Sequence, residues 1–350
     1  MKIFHVASFA PHRCGIYEAA RDMIKADVLS GHEVYFIDAG FTVNEKREYV
    51  DIGTVDDRGG FKIVVSNPSN IDFADIIVVH NMPPFAWFVK NQASVVYIIH
   101  DRPLASFRTE NNNSDIQSYT FIHDVAKWPR VKKMVYFWPE FKPFWDTILL
   151  EEKQGIFEYP VIDRDRFSPD GRKHIIKDEN RGDFNILLCD SWREDVDMFE
   201  IFNGVIQAAR DNKNFKLHFY GLERPMKTCW EVLIQELYKL NAMGELYIRM
   251  PDMDTIYRSM DAVLTPHKII TRIIGESLSC GIPVIASNGC KVSQFHCNPH
   301  DAHSVSKAIK EYINSDKVEV KKDALEQSKN FNFNNYSITM NKIYNDIMKK

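Results

Sequence analysis

The stretch TRIIGESLSCGIPVIAS, residues 271–287, is the most informative about the architecture. Ile273, Ile274 and Leu278 recur at helical spacing, Gly281 suits a helix C-cap, and Pro283 stops any continuation. The closing IPVIAS reads as a strand buried on both faces, as parallel sheets require. A helix feeding such a strand is one step of an α/β series. Its misfit is Glu276, a carboxylate among core residues, four positions after Arg272 on one helical face. Two readings are open. The pair is a local salt bridge, or the carboxylate accepts ribose hydroxyls beside a helix start and an arginine that receive phosphates. At the C-terminal edge of a sheet we expect the second.

FKLHFYG, ELYIRM and AVLTPH precede this stretch and FNILLCD opens the series, with helices expected over 198–209 and 228–240. The first half repeats the style. KIFHVAS, EVYFIDA, KIVVSN, DIIVVHN, VVYIIHD and KMVYFWP read as strands, and Ala19, Ala20, Met23, Ile24 and Val28 mark a helix over 16–29. Between the halves, YPVIDRDRFSPDGRKHIIKDENRGD is rich in charge, Pro and Gly and reads as a linker with an entry loop. Tyr336, Ile338, Met340, Ile343, Tyr344 and Ile347 give a last helix over 335–350. The expected architecture is α/β: two Rossmann-like domains whose parallel sheets face across a cleft, over 1–162 and 163–331, with a C-terminal helix, 332–350, returning to the first. One large doubly wound sheet is the alternative, but about a dozen strands would strain it.

The 350 residues are 45% apolar and 26% charged, ordinary for a globular chain, and the formal charge of −4 gives no global attraction to nucleic acid or anionic membrane. Six cysteines lie scattered without CxxC spacing, so reduced core thiols are expected rather than disulfides or zinc ligands. No leader pattern or membrane span is legible, so a cytoplasmic monomer is expected.

Several strand ends carry residues fit for chemistry. Gly15 precedes a helix, where backbone can approach a ligand and unpaired N–H groups favour an anion. The pattern is not GxGxxG, and no ribose acid follows the second strand, which argues against a dehydrogenase. His100 and Asp101 end a buried strand, where the pair can orient and deprotonate a hydroxyl, or serve as a capped histidine and a turn aspartate. Arg193, just beyond the first strand of the second half, can place its fork on a diphosphate or pair locally with Glu194 or Asp195. Arg224 and Lys227 follow another strand end.

In order, the Gly15 loop, the His100–Asp101 pair, Arg193 and GESLSCGIPVIAS resemble the retaining GT-B glycosyltransferases over nearly the whole chain. The most specific piece, ESLSCGIPVIAS, is similar to the family's E-A-x-A-x-G-x-P-V-[IV]-A-[ST], with Ser277 and Ser279 at the small-residue positions. Lys268 stands where the family has a Glu eight residues before the second, and the Lys that commonly follows the phosphate Arg is absent. RCGIYEAARDMI, VVYIIHDRPLASFR and YGLERP are further similar to the DNA α-glucosyltransferases of T-even bacteriophages, which act on 5-hydroxymethylcytosine.

The resemblance implies a nucleotide-sugar donor, a UDP-sugar, and a hydroxymethylated base in DNA as acceptor. It makes His100 and Asp101 catalytic on the acceptor side, and Gly15, Arg193, Arg224, Arg272 and Glu276 donor-binding. No cofactor or metal is implied. For DNA, a basic face is expected from Lys127, Arg130, Lys132 and Lys133 with Arg102 and Arg108, and a duplex base would have to be flipped out. The rivals are a polysaccharide, lipid or protein acceptor on the same fold, and a non-catalytic nucleotide-sugar-binding protein.

Overall fold

The structure, a computed structural model, describes residues 1–7, 15–38, 55–56, 63–64, 74–80, 92–100, 122–189, 198–212, 215–220, 228–247 and 252–349. It divides into two compact units, Met1–Asp163 with Asn332–Lys350, and Arg164–Phe331.

In the first unit, β1 (Lys2–Ala7), β2 (Glu33–Asp38), β5 (Ile76–His80), β6 (Ser94–Ile99), β7 (Val131–Phe137) and β8 (Gln154–Phe157) form a parallel sheet in the order β2-β1-β5-β6-β7-β8. Side-chain alternation divides its faces. Phe4, Val6, Ile77, Val79, Tyr97 and Ile99 pack into a core with Val125, Ala126, Met134 and Trp145. Ala7 and Phe36 pack on the other face against Tyr17, Ala20 and Ile24 of α1 (Gly15–Leu29). Val28, placed by spacing on the buried stripe of α1, is 37% exposed, whereas Ala26 and Asp27 of the same turn are buried.

Of KIVVSN only Ile63 and Val64 are described, and they do not join this sheet. Among the described residues, only β4 (Ile63–Val64) is extended there, antiparallel to β3 (Val55–Asp56) in a separate ribbon. Conversely, β8 was not legible: QGIF contains a glycine, follows Glu151 and Glu152, and needs only one neighbour as an edge strand.

The second unit repeats the plan, with β9 (Phe184–Leu188), β10 (Phe215–Tyr220), β11 (Met243–Tyr247), β12 (Ala262–Leu264), β13 (Val284–Ser287) and β14 (Phe295–Cys297) parallel in the order β11-β10-β9-β12-β13-β14. Two of its helices, α3 (Met198–Asp211) and α7 (Ala302–Ile313), cross closely at Gly204. A Cβ there would stand 2.5 Å from Val305 Cβ. The short α2 (Lys142–Trp145) belongs to the first unit; α4 (Thr228–Lys239), α5 (Met253–Ser259) and α6 (Arg272–Ser279) belong to the second. Strand β14 and helices α7 and α8 (Lys317–Gln327) extend the series beyond the strands and helices read from the sequence.

The closing helix α9 (Phe333–Met348) packs on α1 and buries Tyr336, Met340, Ile343, Tyr344 and Ile347, while Ile338, which shared their spacing, is 63% exposed. Among the described residues no helix is long and apolar enough to cross a membrane.

Candidate functional site

Helix α6 ends as its sequence requires. Gly281 takes φ 73°, its N–H donates to Leu278 O at 2.9 Å, and the Ile282 N–H donates to Ser277 O at 3.0 Å. This pair of bonds closes a Schellman cap and turns the chain into Pro283 and β13. At the other end, Thr271 provides no side-chain cap, so the first-turn N–H groups of α6 are left to other acceptors. The helix follows the C-terminal end of β12 through the loop at 265–271, the edge at which open α/β sheets bind ligands.

All of α6 is buried, and Glu276 is 3% exposed. Its Oε1 lies 2.6 Å from Arg272 Nε, and its Oε2 accepts from the Tyr257 hydroxyl at 3.0 Å. Arg272 also stands over the Phe167 ring, 5.8 Å from its centroid, and Phe167 meets Tyr257 edge-on. The i,i+4 adjacency read from the sequence is therefore present as a buried ion pair. Tyr257 and Phe167 were missed; each looks like an ordinary core aromatic. Burial pushes the nearby Cys280 thiol far above its ordinary range, which makes it inert.

A second guanidinium, Arg258, fixes the segment before β9. It donates to the carbonyls of Arg172 at 2.8 Å, Arg166 at 3.0 Å and Ser168 at 3.3 Å, and pairs with Asp254. The Pro- and Gly-containing loop is thus pinned to the second unit.

In the first unit, Gly15 opens α1 after the C-terminal end of β1, and nothing lies within 4 Å of where its Cβ would be. No contact within the described residues requires a glycine there.

His100 is half-buried just past β6, its ring 5.5 Å from that of Phe137. Next to Phe137, Trp138 takes φ 68°, strained backbone for a bulky residue at the end of β7. His100 is one end of a row. Its Nε2 lies 2.9 Å from His80 Nδ1, His80 Nε2 lies 2.9 Å from His5 Nδ1, and His5 Nε2 lies 2.9 Å from Asp27 Oδ2. The same Oδ2 accepts from the Tyr344 hydroxyl at 2.9 Å and the Tyr336 hydroxyl at 3.2 Å. His5, His80 and Asp27 are essentially inaccessible. Burial, then the neighbouring rings of His5 and His100, holds the His80 pKa well below its ordinary value, so its imidazole is neutral. Sequence reasoning missed His5, His80 and Asp27. One signal was available: KIFHVAS, IIVVHN and VYIIHD each carry a lone histidine in an otherwise apolar strand.

The basic cluster is not brought to this edge. Lys127 and Arg130 precede β7, Lys132 lies at its start, and the Arg130 carbonyl accepts from the Val95 N–H near the start of β6. They occupy the N-terminal edge of the sheet, a strand's length from His100. Lys127 and Lys132 are exposed, and the Lys133 ammonium donates to Gln154 O at 3.2 Å. Asp101, Arg102, Arg108, Arg193 and Arg224 lie outside the described residues. Among those described, no group of three His, Cys, Asp or Glu side chains is arranged to hold a metal ion.

No protein-family model matches the chain, and no curated protein matches it. Solved structures do. Sucrose-phosphate synthase from Thermosynechococcus elongatus has 13% identity and a TM-score of 0.71, covering 99% of both chains. An Anabaena protein solved with UDP-glucose has 14% identity and a TM-score of 0.67, over 100% of this chain and 99% of that one. An α-glucosyltransferase solved with UDP and a 13-mer DNA containing an HMU base has 12% identity and a TM-score of 0.65, over 100% of both chains. Two parallel six-stranded sheets flanked by helices, a long C-terminal helix and these end-to-end matches give the chain the α/β fold of the GT-B glycosyltransferases.

Proposed function

We propose that the chain is a retaining glycosyltransferase that moves a sugar from a UDP-sugar to an acceptor hydroxyl, by preference the hydroxymethyl group of a pyrimidine in DNA. The observation that carries this is α6: an uncapped helix start at a strand's C-terminal edge, followed by a carboxylate and an arginine, on a fold shared end to end with proteins solved with UDP or UDP-glucose. The DNA acceptor is supported by the His100–Asp101 resemblance and by likeness to an enzyme solved with HMU-containing DNA.

In this reading the donor's diphosphate lies against the first-turn N–H groups of α6 and Arg193, with Arg272, Lys268 or Arg224 supplying the positive charge of the family's absent Lys. Glu276 accepts ribose hydroxyls, and Gly15 allows close backbone approach. The acceptor oxygen attacks the anomeric carbon on the face from which the diphosphate leaves. The C–O bond to phosphate breaks, the glycosidic bond forms, and the hydroxyl proton passes to the His100–Asp101 pair. Rate enhancement then comes from positioning and from stabilising the departing charge.

The rival non-catalytic reading draws on Glu276, both of whose oxygens are engaged within the chain. One experiment separates them: incubation with UDP-sugars and hydroxymethylated DNA, followed by mass spectrometry of the nucleosides. Glycosylated hydroxymethylpyrimidine supports the proposal. UDP-sugar binding with neither transfer nor hydrolysis supports the rival, and transfer only to glycan, lipid or protein acceptors removes the DNA assignment.

A further inference from the structure

The histidine row has a direction. An N···N contact between two neutral imidazoles holds one proton, so each ring must donate on one side and accept on the other. Asp27 sets which side. Two phenols and His5 converge on its Oδ2, the arrangement of an ionised carboxylate, which only accepts. Both phenols keep their protons, because burial and the Asp27 charge raise their pKa well above the ordinary value. His5 therefore carries a proton on Nε2 and, as the neutral ring the inference requires, accepts at Nδ1. His80, kept neutral, must donate from Nε2 and accept at Nδ1, and His100 must donate from Nε2.

We infer that Asp27, acting through His5 and His80, fixes His100 as the Nε2–H tautomer and so makes Nδ1 its accepting nitrogen; this positioning role rests on the function proposed above. The consequence at the reacting group is specific. A lone pair on Nδ1 can take the hydrogen of an acceptor hydroxyl and leave the oxygen's own lone pairs for attack. The other tautomer would present N–H to that oxygen and occupy the electrons needed for the new bond. Positive charge gathering on His100 is met by the Asp27 carboxylate, felt through buried, mutually polarising hydrogen bonds.

The row crosses β1, β5 and β6 diagonally, starting on α1 and ending at the sheet's C-terminal edge. Tyr336 and Tyr344 tie it to α9, so residues more than 300 positions from Asp27 help set the polarity of His100.

The test is histidine tautomer assignment by ¹⁵N NMR on the full chain labelled at the imidazole nitrogens, near neutral pH. In the wild type, His5, His80 and His100 should all be Nε2–H; His100 found as Nδ1–H overturns the inference without any variant. Asp27→Asn keeps the side chain's shape but can donate its amide to His5. All three rings should then invert to Nδ1–H, and an unchanged His100 tautomer in the folded variant likewise overturns it. With UDP-glucose and hydroxymethylated DNA, the inverted variant should lose at least ~100-fold in kcat, with donor Kd and DNA KM unchanged; wild-type turnover in an inverted variant refutes the positioning role. Absence of transfer by the wild type would sink the proposed function, whereas the tautomer assignment is read independently of activity.

Discussion

Each unit buries ionised groups, but by different means. In the second unit the charges neutralise over one helical turn: Arg272 and Glu276 pair, and Tyr257 takes the remaining oxygen. In the first, the Asp27 carboxylate is held by two phenols and the His5 imidazole, from which one further ring, the neutral His80, leads to His100. A compact ion pair is self-sufficient and local. A polarised row carries a constraint across three strands to a half-buried group.

Removing each carboxylate should disrupt the two arrangements most severely. Glu276→Ala leaves the Arg272 guanidinium buried beside an apolar ring, and losing one partner of a buried pair costs about 3–5 kcal/mol. Asp27→Ala leaves three buried donors without their acceptor, a loss of about 1–3 kcal/mol for each unsatisfied group. Urea unfolding measures both. A near-neutral Glu276→Ala variant would show that the ion pair contributes little and that the carboxylate keeps its charge for a ligand. Glu276→Gln, which keeps the Tyr257 contact, isolates donor affinity from stability.

Acid probes the two units in parallel, because each has a buried neutral imidazole. In the second unit, His218 accepts from the Glu245 N–H at 3.2 Å and contacts Asn185 Oδ1 at 3.1 Å. Burial, then the charges of His174 and Lys216, lowers its pKa to about 4. The folded value lies below the unfolded one, so the unfolded chain binds the proton first. The stability His218 contributes is complete above the unfolded value of roughly 6.5 and falls with pH between there and about 4, by about 1.4 kcal/mol per pH unit. His80 acts in the same direction. His218→Gln should flatten the fall of unfolding free energy across this window; an unaltered slope would mean that His218 is protonated in the fold.

At the proposed acceptor side, Asp101→Asn should lower transfer to DNA by at least ~100-fold, as for loss of a general base, with UDP-sugar binding by calorimetry unchanged. Wild-type transfer by this variant would remove the acceptor-side assignment and leave His100 to be tested alone. The smallest effect is expected at the far edge of the sheet. Changing Lys127, Arg130, Lys132 and Lys133 to Ser should reduce the slope of log K against log salt for DNA binding by ~0.9 for each phosphate no longer neutralised. Donor affinity should stay constant. An unchanged slope would separate this edge from any DNA path.

The alternation of apolar strands and helices was legible in the sequence, because strands covered on both faces must be apolar throughout. So was the cap at Gly281, because the geometry needed there lies within the six consecutive residues Ser277 to Ile282. Helix α7 could have been found the same way, since Asp301 caps it by accepting from the His303 N–H. The i,i+4 relation of Arg272 and Glu276 was equally legible, being fixed by helix pitch. What those residues touch depends on tertiary packing. Tyr257 reaches Glu276 only because α5 packs beside α6, and Ile63–Val64 pair with β3 outside the main sheet although the composition of their stretch suits one of its strands. The histidine row is the extreme case: His5, Asp27, His80 and His100 have no common spacing, and only strand order and the return of α9 onto α1 align their nitrogens with one carboxylate. Local periodicity encodes which face a residue occupies. The neighbour across the sheet is set by topology, which no short stretch contains.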